Sequence, residues 1–269
     1  MKIYLIFGLI LILDFSSYSQ QEESELLTSN ANGEKLFVGE DLTYVVKYAF
    51  FNLGEVRIKV LGKTKINNTT VYETIAYIDS YPDLPFVSLH QVYESYIDSS
   101  LFPLKFFSEI FDDDTIFVRY NFIDSSKVEM QKGKLGAKNL WLDSTANIHH
   151  RVQDGLSILF YVRMIFDNKK TLSVPCFVNE KEEEAVLNFY NEPTPVSIDA
   201  VDHEIDCRYL DGYTDFVSVY GLTGSFEGWF SNDKFSVPIL AKMNVLIGSI
   251  NLELIRWNAE LWNPPLFKN

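Results

Sequence analysis

The sequence predicts a mainly β protein, a curved antiparallel sheet in a sandwich or open barrel, with one central apolar helix. Aromatic residues make up 15% of the 269 residues, and these side chains are enriched in strands because they pack well on a pleated, half-buried surface. Short runs of alternating apolar and polar residues recur about every ten residues, with turn-forming residues between them. One run near residue 160 is too long and too uniformly apolar for a strand.

The chain is predicted to contain three segments. Residues 1–19 have the features of a cleavable secretory signal peptide, with Lys2 at the start and an apolar run over residues 3–13. A membrane anchor is the alternative, but spanning a bilayer takes roughly 20 apolar residues. Residues 20–35 are polar and acidic and are expected to form a flexible leader. Residues 36–269 are expected to form a single β-rich domain.

Charge and the first segment predict where the protein works and which partners it lacks. The chain has 37 acidic and 23 basic residues and a formal net charge of −14, and such a field repels nucleic-acid phosphates and anionic membrane surfaces. We therefore expect no nucleic-acid partner. Cleavage would remove the one long apolar run, so we expect no transmembrane anchor in the mature chain and a periplasmic or secreted location in a bacterial envelope.

Strands are predicted wherever side chains alternate between apolar and polar, as half-buried strands require. The predicted strands cover residues 42–48, 55–63, 70–78, 92–97, 105–111, 115–122, 126–131, 172–178 and 185–190. Pro193 and Pro195 are expected to end the last of these. The acidic run 180–184 is expected to form a solvated hairpin tip. Another strand is expected over residues 200–207, and several more are expected to follow as far as Trp257.

The apolar run over residues 154–166 predicts the main helix. Asp154 is a favourable N-cap residue, and apolar side chains occupy nearly the whole circumference, as in a helix enclosed by sheet. Arg163 lies within this run, and a buried cation needs a partner or a ligand acid. Asp233 is one candidate partner.

Cys176 and Cys207 are predicted to lie in strands, and two readings of them stay open. An oxidising compartment would let them form a disulfide, or both could be buried free thiols. The adjacent His149 and His150 would point to opposite faces of a strand, which does not suit a metal site. We predict no metal and no cofactor.

Three blocks of residues stand in a consistent order along the chain. They are Gly39-Glu40 with Leu42, Tyr44, Val46 and Tyr48; Ser157, Tyr161 and Arg163; and Trp229 with Asp233, Pro238 and Gly248-Ser249. Together they resemble an exported bacterial family known as domain of unknown function three-one-zero-eight. The resemblance implies export and a β-rich fold and supplies no catalytic residue. Ala49 stands where the family has a glycine, and Asn232 where an acid is common.

The favoured function is non-catalytic: a periplasmic binding or carrier protein for an apolar or lipid-like ligand, or an envelope assembly factor. The candidate ligand-binding residues are Tyr44, Tyr48, Phe160, Tyr161, Arg163, Trp229 and Asp233. The helix could instead fill the sheet and leave no pocket. A hydrolase acting on envelope glycans or esters is an alternative, although no serine-nucleophile motif is present. A structural partner in an envelope complex, with a broad exposed aromatic patch, is another.

Overall fold

One antiparallel sheet and one short helix account for the regular structure of the described part of the chain. The structure is a computed structural model that describes residues 36–82, 84, 88–166, 171–217, 223–244 and 249–268. The predicted signal peptide and leader, residues 1–35, lie outside the described residues. Lys35–Asn269 form one compact unit, and all that follows concerns this unit.

Fourteen strands of the described residues form a single sheet, which confirms the mainly β prediction. In chain order they are β1 (Asp41–Tyr48), β2 (Phe51–Ile66), β3 (Thr69–Ser80), β4 (His90–Asp98), β5 (Pro103–Phe111), β6 (Ile116–Asp124), β7 (Lys127–Lys134), β8 (Leu142–Asn147), β9 (Thr171–Val178), β10 (Lys181–Val196), β11 (Ile205–Thr214), β12 (Gly224–Ser231), β13 (Pro238–Asn244) and β14 (Ser249–Arg256). The helix, α1 (Ser157–Ile165), lies between β8 and β9 in the chain. The order in the sheet is β8-β7-β6-β5-β4-β3-β2-β1-β14-β13-β12-β11-β10-β9.

The sheet consists of two meanders joined where the first strand meets the last. Neighbouring strands are antiparallel throughout, and Tyr48 at the end of β1 pairs with Ile250 near the start of β14. The turns β1–β2, β3–β4, β5–β6 and β7–β8 therefore lie at the same end as β9–β10, β11–β12 and β13–β14. We call this end the upper end and the opposite one the lower end.

The sheet curls until its β9 edge lies against β6. Phe177 of β9 packs edge-on against Tyr120 of β6, with ring centroids 5.1 Å apart. The backbone of Gln153, in the segment before α1, bonds to Pro175 and Phe177 of β9. The edge strand thus has packing partners on its open side, which protects it from pairing with another chain.

Three strand predictions were wrong. The strand expected over residues 200–207 is β11, which begins at Ile205 and continues to Thr214. β8 was missed because its sequence is mostly polar and its side chains are mostly exposed. β10 continues through Pro193 and Pro195 to Val196. Its described pairing with β9 ends at Asn188, so the prolines remove no hydrogen bond on that side.

Of the acidic run 180–184, which was expected to form a hairpin tip, only Glu180 lies in the turn between β9 and β10. Asn179 and Glu180 form the turn, with φ values of 53° and 64°, and the remaining acidic residues lie in β10. Glu182 accepts a hydrogen bond from the backbone N–H of His149 at 2.9 Å. Part of the run therefore fastens β10 to the segment that follows β8.

The helix begins at Ser157, three residues later than predicted, with Leu156 at the N-cap position. Asp154 nevertheless acts on the helix start. Its Oδ1 accepts hydrogen bonds from the backbone N–H groups of Leu156 at 2.8 Å and Ser157 at 2.7 Å. These two donors would otherwise have no partner in the first turn.

Cys176 and Cys207 are buried free thiols, so the candidate disulfide is not formed. Cys176 pairs with Glu183 and Cys207 with Thr194, both on β10. These two positions are eleven residues apart along one strand, roughly 35 Å at the usual rise. No disulfide can join α-carbons at that separation.

Candidate functional site

Arg163, near the end of α1, is fixed by a buried ion pair at the lower end. Its guanidinium donates two parallel hydrogen bonds to the Glu40 carboxylate, from Nη1 at 2.7 Å and Nη2 at 2.8 Å. Nε donates to the carbonyl of Phe235 at 3.0 Å. Arg163 is 2% exposed and Glu40 is 8% exposed. This fork geometry stabilises a buried arginine, and the neighbouring carboxylate keeps the pKa of Arg163 above its usual value despite desolvation.

The partner of Arg163 is Glu40, and the candidate Asp233 has another role. Asp233 Oδ1 accepts hydrogen bonds within its own turn, from Ser231, Phe235 and Ser236, and Oδ2 accepts one from Trp262 at 2.7 Å. Asp233 raises the pKa of Arg163 only as a more distant charge. It orders the β12–β13 turn, whose Phe235 carbonyl then receives the arginine.

All three sequence blocks meet at this ion pair. Glu40 comes from the first block and Arg163 from the second, while Phe235 lies within the span of the third. The Tyr44 hydroxyl of the first block also donates to the Pro238 carbonyl of the third at 3.0 Å. The blocks therefore build a clamp, defined as Glu40, Arg163 and Phe235, that anchors the helix end.

The space on one side of α1 is filled with aromatic rings. Tyr161 packs on Phe102, with centroids 5.5 Å apart. Phe106 stacks on Tyr120 at 5.4 Å. Tyr93 is buried beside Phe106. On this side the helix completes a packed core.

The other side of α1 borders a cavity of about 180 Å³. Its walls are the helix and strands β9 to β13, and most of the lining is apolar. The lining side chains include Leu159, Val162, Cys176, Leu187, Leu210, Phe216, Phe226, Phe230 and Met243. Thr223, an exposed lining residue just before β12, lies at the upper end. Among the described residues, the cavity is therefore open at the upper end.

Small residues on two strands shape this wall. A Cβ built on Gly212 would lie 2.3 Å from the Phe226 ring, so the ring rests where a side chain would otherwise stand. A Cβ on Gly228 would lie 3.0 Å from Phe230 and 3.5 Å from Leu210. Glycines inside strands often mark such close approaches. Here they keep aromatic rings flat against the sheet and leave the interior open.

Asp154 is the one fully buried acid beside the cavity. Its Oδ2 accepts a hydrogen bond from the Ser95 hydroxyl of β4 at 2.5 Å. Burial raises the pKa of its carboxyl to about 6, even though hydrogen bonds from Ser157, Ser95 and Leu156 favour the ionised form. Because Asp154 bonds to β4 and to the first turn of α1, it anchors the start of the helix as the clamp anchors its end.

None of the seven candidate ligand-binding residues lines the cavity. Tyr44, Phe160, Tyr161 and Arg163 are buried in packing contacts. Trp229 is on the face of β12 opposite Gly228 and Phe230, where it packs on Tyr209 at 5.2 Å. Tyr48 is half-buried in β1, on the far side of the sheet from β9.

The residues that do line the cavity were missed by sequence reasoning. Ile158 and Leu159 are the members of α1 that are not fully buried, because they border the open space. Within an almost uniformly apolar helix, nothing in the sequence separates these two from their buried neighbours. Gly212 and Gly228 are the signal that was available, as glycines inside predicted strands.

Two further findings bear on what the site can do. No group of three or more His, Cys, Asp and Glu residues in the described ranges is placed to hold a metal ion. Within those same ranges, no helix is both long and apolar enough to cross a membrane.

The fold and the site define a class of protein, a single curved antiparallel sheet wrapped around a buried helix. This chain is similar in fold to a crystal structure from Brucella abortus, described as a beta-barrel-like protein of domain of unknown function DUF1849. The similarity covers 83% of this chain and 98% of that chain, with a TM-score of 0.52 and 11% sequence identity. At that identity the likeness concerns the fold alone.

The particular family follows from the sequence. Residues 43–255 match the model of the family described as protein of unknown function DUF3108. The chain belongs to that family, the one that the three blocks resemble. No curated protein matches the chain.

Proposed function

We propose that this protein is a non-catalytic binding or carrier protein for an apolar or lipid-like ligand. The observation that carries the proposal is the apolar cavity of about 180 Å³ beside α1. An engineered apolar cavity of roughly 150 Å³ stays free of water and binds benzene or xenon. This cavity therefore has room for a small ring or a short length of hydrocarbon chain. The signal-like first 19 residues support a periplasmic or secreted place of action.

The chemistry of the lining indicates which part of a ligand enters. The described lining residues include no lysine or arginine, and the acidic ones among them are Asp154 and Glu227. An anionic head group would find no partner inside and would meet a low-dielectric wall. The apolar part of the ligand therefore occupies the cavity, and a polar head group stays at the upper end near Thr223 and Ser225.

Anchoring at both ends keeps the helix from collapsing into the empty space. Asp154 ties the helix start to Ser95, and Arg163 ties its end to Glu40. Close-packed interiors ordinarily relax around a void only in part, and each unfilled volume lowers stability. A helix fixed at two points supports the proposal because it preserves a cavity that a freer helix would partly fill.

Isothermal titration calorimetry with a small apolar probe, toluene, tests the proposal in the full chain. Leu159 borders the open space, so Leu159→Trp should fill it without displacing packed neighbours. The matched control is Leu261→Trp, at a position that is 41% exposed at the lower end.

We expect saturable probe binding in the unmodified protein and in the control. In Leu159→Trp the affinity should fall at least about tenfold, since a single buried apolar side chain is worth more than 1.4 kcal/mol. Decanoic acid should displace the probe from the unmodified protein. Absence of saturable binding, or equal binding by all three proteins, would contradict the proposal.

A further inference from the structure

Large apolar side chains project from the loop tips of the upper end. In the β1–β2 turn, Phe50 is 98% exposed and the adjacent Phe51 is 66% exposed. Next to β8, in the β7–β8 connection, Leu135 is 49% and Trp141 is 59% exposed. Scattered exposed apolar residues are ordinary on a protein surface. Four such residues on two hairpin connections at one end are a feature that needs an explanation.

Other connections at the same end add to this surface. Leu89, before β4, is 45% exposed, and Val217, after β11, is 49% exposed. We call the six residues Phe50, Phe51, Leu89, Leu135, Trp141 and Val217 the upper rim. The large exposed apolar residues at the lower end are aliphatic: Val38, Ile123, Leu261 and Leu266. The exposed phenylalanine and tryptophan side chains of the described residues thus lie at the end where the cavity opens.

The charge at these two tips differs from that of the whole chain, although the β5–β6 turn at the same end carries three exposed acids, Asp112, Asp113 and Asp114. The protein has a formal net charge of −14, yet residues 49–53 and 135–141 contain no acid and a single cation, Lys138. The two most apolar tips therefore carry none of the negative charge that would repel lipid phosphates. Tryptophan and phenylalanine with a nearby lysine is the composition found at the boundary between head groups and acyl chains.

We propose that the upper rim docks on the surface of a lipid bilayer, with its tips among the head groups. The apolar side chains stand on separate turns, and Phe50 is almost wholly exposed. Such tips can enter a fluid interface, where Phe and Trp are favoured. The cavity opens at this end, so docking would face its mouth towards the lipid. That orientation would let the cavity exchange ligand with the bilayer, an extension that rests on the proposed function.

Quenching of Trp141 by brominated lipid tests the docking. The full chain is mixed with vesicles of zwitterionic phosphatidylcholine brominated near the top of the acyl chains, and tryptophan emission is followed against lipid concentration. Trp141→Phe assigns the quenched component to this residue. The test variant is Phe50→Ser with Phe51→Ser. The matched control is Ile123→Ser with Leu266→Ser, two residues that are each 55% exposed at the lower end.

We expect Trp141 to be quenched in the unmodified protein and in the lower-end control. The upper-rim variant should need at least about tenfold more lipid for the same quenching, because two aromatic side chains no longer enter the interface. No quenching of Trp141 in the unmodified protein, or an equal loss in both double variants, would overturn the proposal. A concentration-dependent dimer that the upper-rim variant abolishes, without quenching by lipid, would overturn it in favour of a second copy of the chain.

The probe titration without vesicles separates this inference from the proposed function. Saturable probe binding without quenching of Trp141 would remove the docking and leave the carrier function. Quenching without probe binding would leave a lipid-docking protein whose cavity takes no ligand.

Discussion

Replacement of Arg163 by methionine tests the clamp that holds the end of α1. Arg163→Met keeps most of the side-chain volume and removes both hydrogen bonds to Glu40, at 2.7 and 2.8 Å, and the one to the Phe235 carbonyl. The Glu40 carboxylate, which is 8% exposed, is then buried without a cation. Breaking a buried pair in this way costs about 3 to 5 kcal/mol, chiefly because the remaining charge is uncompensated.

Urea unfolding followed by circular dichroism measures this loss. With a slope of about 2 to 3 kcal/mol per molar, expected for a domain of this size, the midpoint should fall by roughly 1 to 2 M. Adding Glu40→Gln to Arg163→Met should recover part of the loss, because the second change removes the buried charge. Recovery would show that the stranded carboxylate is the main cause of the destabilisation.

An exposed arginine–carboxylate pair that also has two hydrogen bonds provides the matched control. Arg57 binds Asp41 through two hydrogen bonds of 2.8 and 2.5 Å, but its side chain is 49% exposed. Arg57→Met should therefore cost less than about 1 kcal/mol. If Arg163→Met destabilises the protein no more than Arg57→Met does, the account of the clamp is refuted.

Three further predictions concern a buried acid, a strained turn and the thiols. The pKa of Asp154 is raised from 3.8 to about 6, so its contribution to stability is present below pH 4 and is lost as pH rises through 6. Asp154→Asn should remove about 2 kcal/mol of pH dependence between pH 4 and 7, and an unchanged slope of unfolding free energy against pH would disprove this. Ala49 has a φ of 49°, so Ala49→Gly should stabilise the protein by about 0.5 to 1 kcal/mol; a lower urea midpoint would count against it. Cys176 and Cys207 should not react with Ellman's reagent in the folded protein, and both should react after unfolding without a reductant, whereas fewer than two reactive thiols would indicate a disulfide.

The strands were largely predictable because the alternation of apolar and polar residues follows from a physical requirement. A strand with one face on the core must place apolar side chains at every second position, as β10 does at Ala185, Leu187 and Phe189. β8 escaped prediction because its side chains are mostly solvated, so its sequence lacks the alternation. Proline ordinarily ends a strand because it lacks an N–H donor. β10 nevertheless contains Pro193 and Pro195, at positions where no described β9 residue pairs with them. That exception depends on the length of a neighbouring strand, which local sequence does not contain.

The sequence predicted that Arg163 is paired with an acid, but it did not predict which acid. The sequence showed that Arg163 needed an acid, but 37 carboxylates were available. The choice of Glu40 depends on the pairing of β1 with β14, which closes the two meanders and brings the first strand under the helix end. Glu40 and Asp233 are both members of the three blocks, so the blocks contained the partner but did not distinguish it from Asp233.

The cavity was not predictable from residue types. The candidate ligand-binding residues are mostly aromatic, yet Tyr161 fills the packed side of the helix and Trp229 lies on the outer face of β12. Aliphatic residues such as Leu187 and Leu210 line the open space, and in the sequence they are the same as any core leucine. Whether a volume is filled depends on the curvature of the whole sheet, which no single segment specifies.

Diffraction from a crystal held under xenon pressure tests the central claim most directly, namely that the space beside α1 is an apolar cavity that can be occupied. Xenon enters dry apolar cavities of this size. We expect xenon between Leu159 of the helix and Leu210 and Phe226 of the sheet, and its loss in Leu159→Trp. Absence of xenon, with these side chains packed against one another, would contradict the proposed cavity.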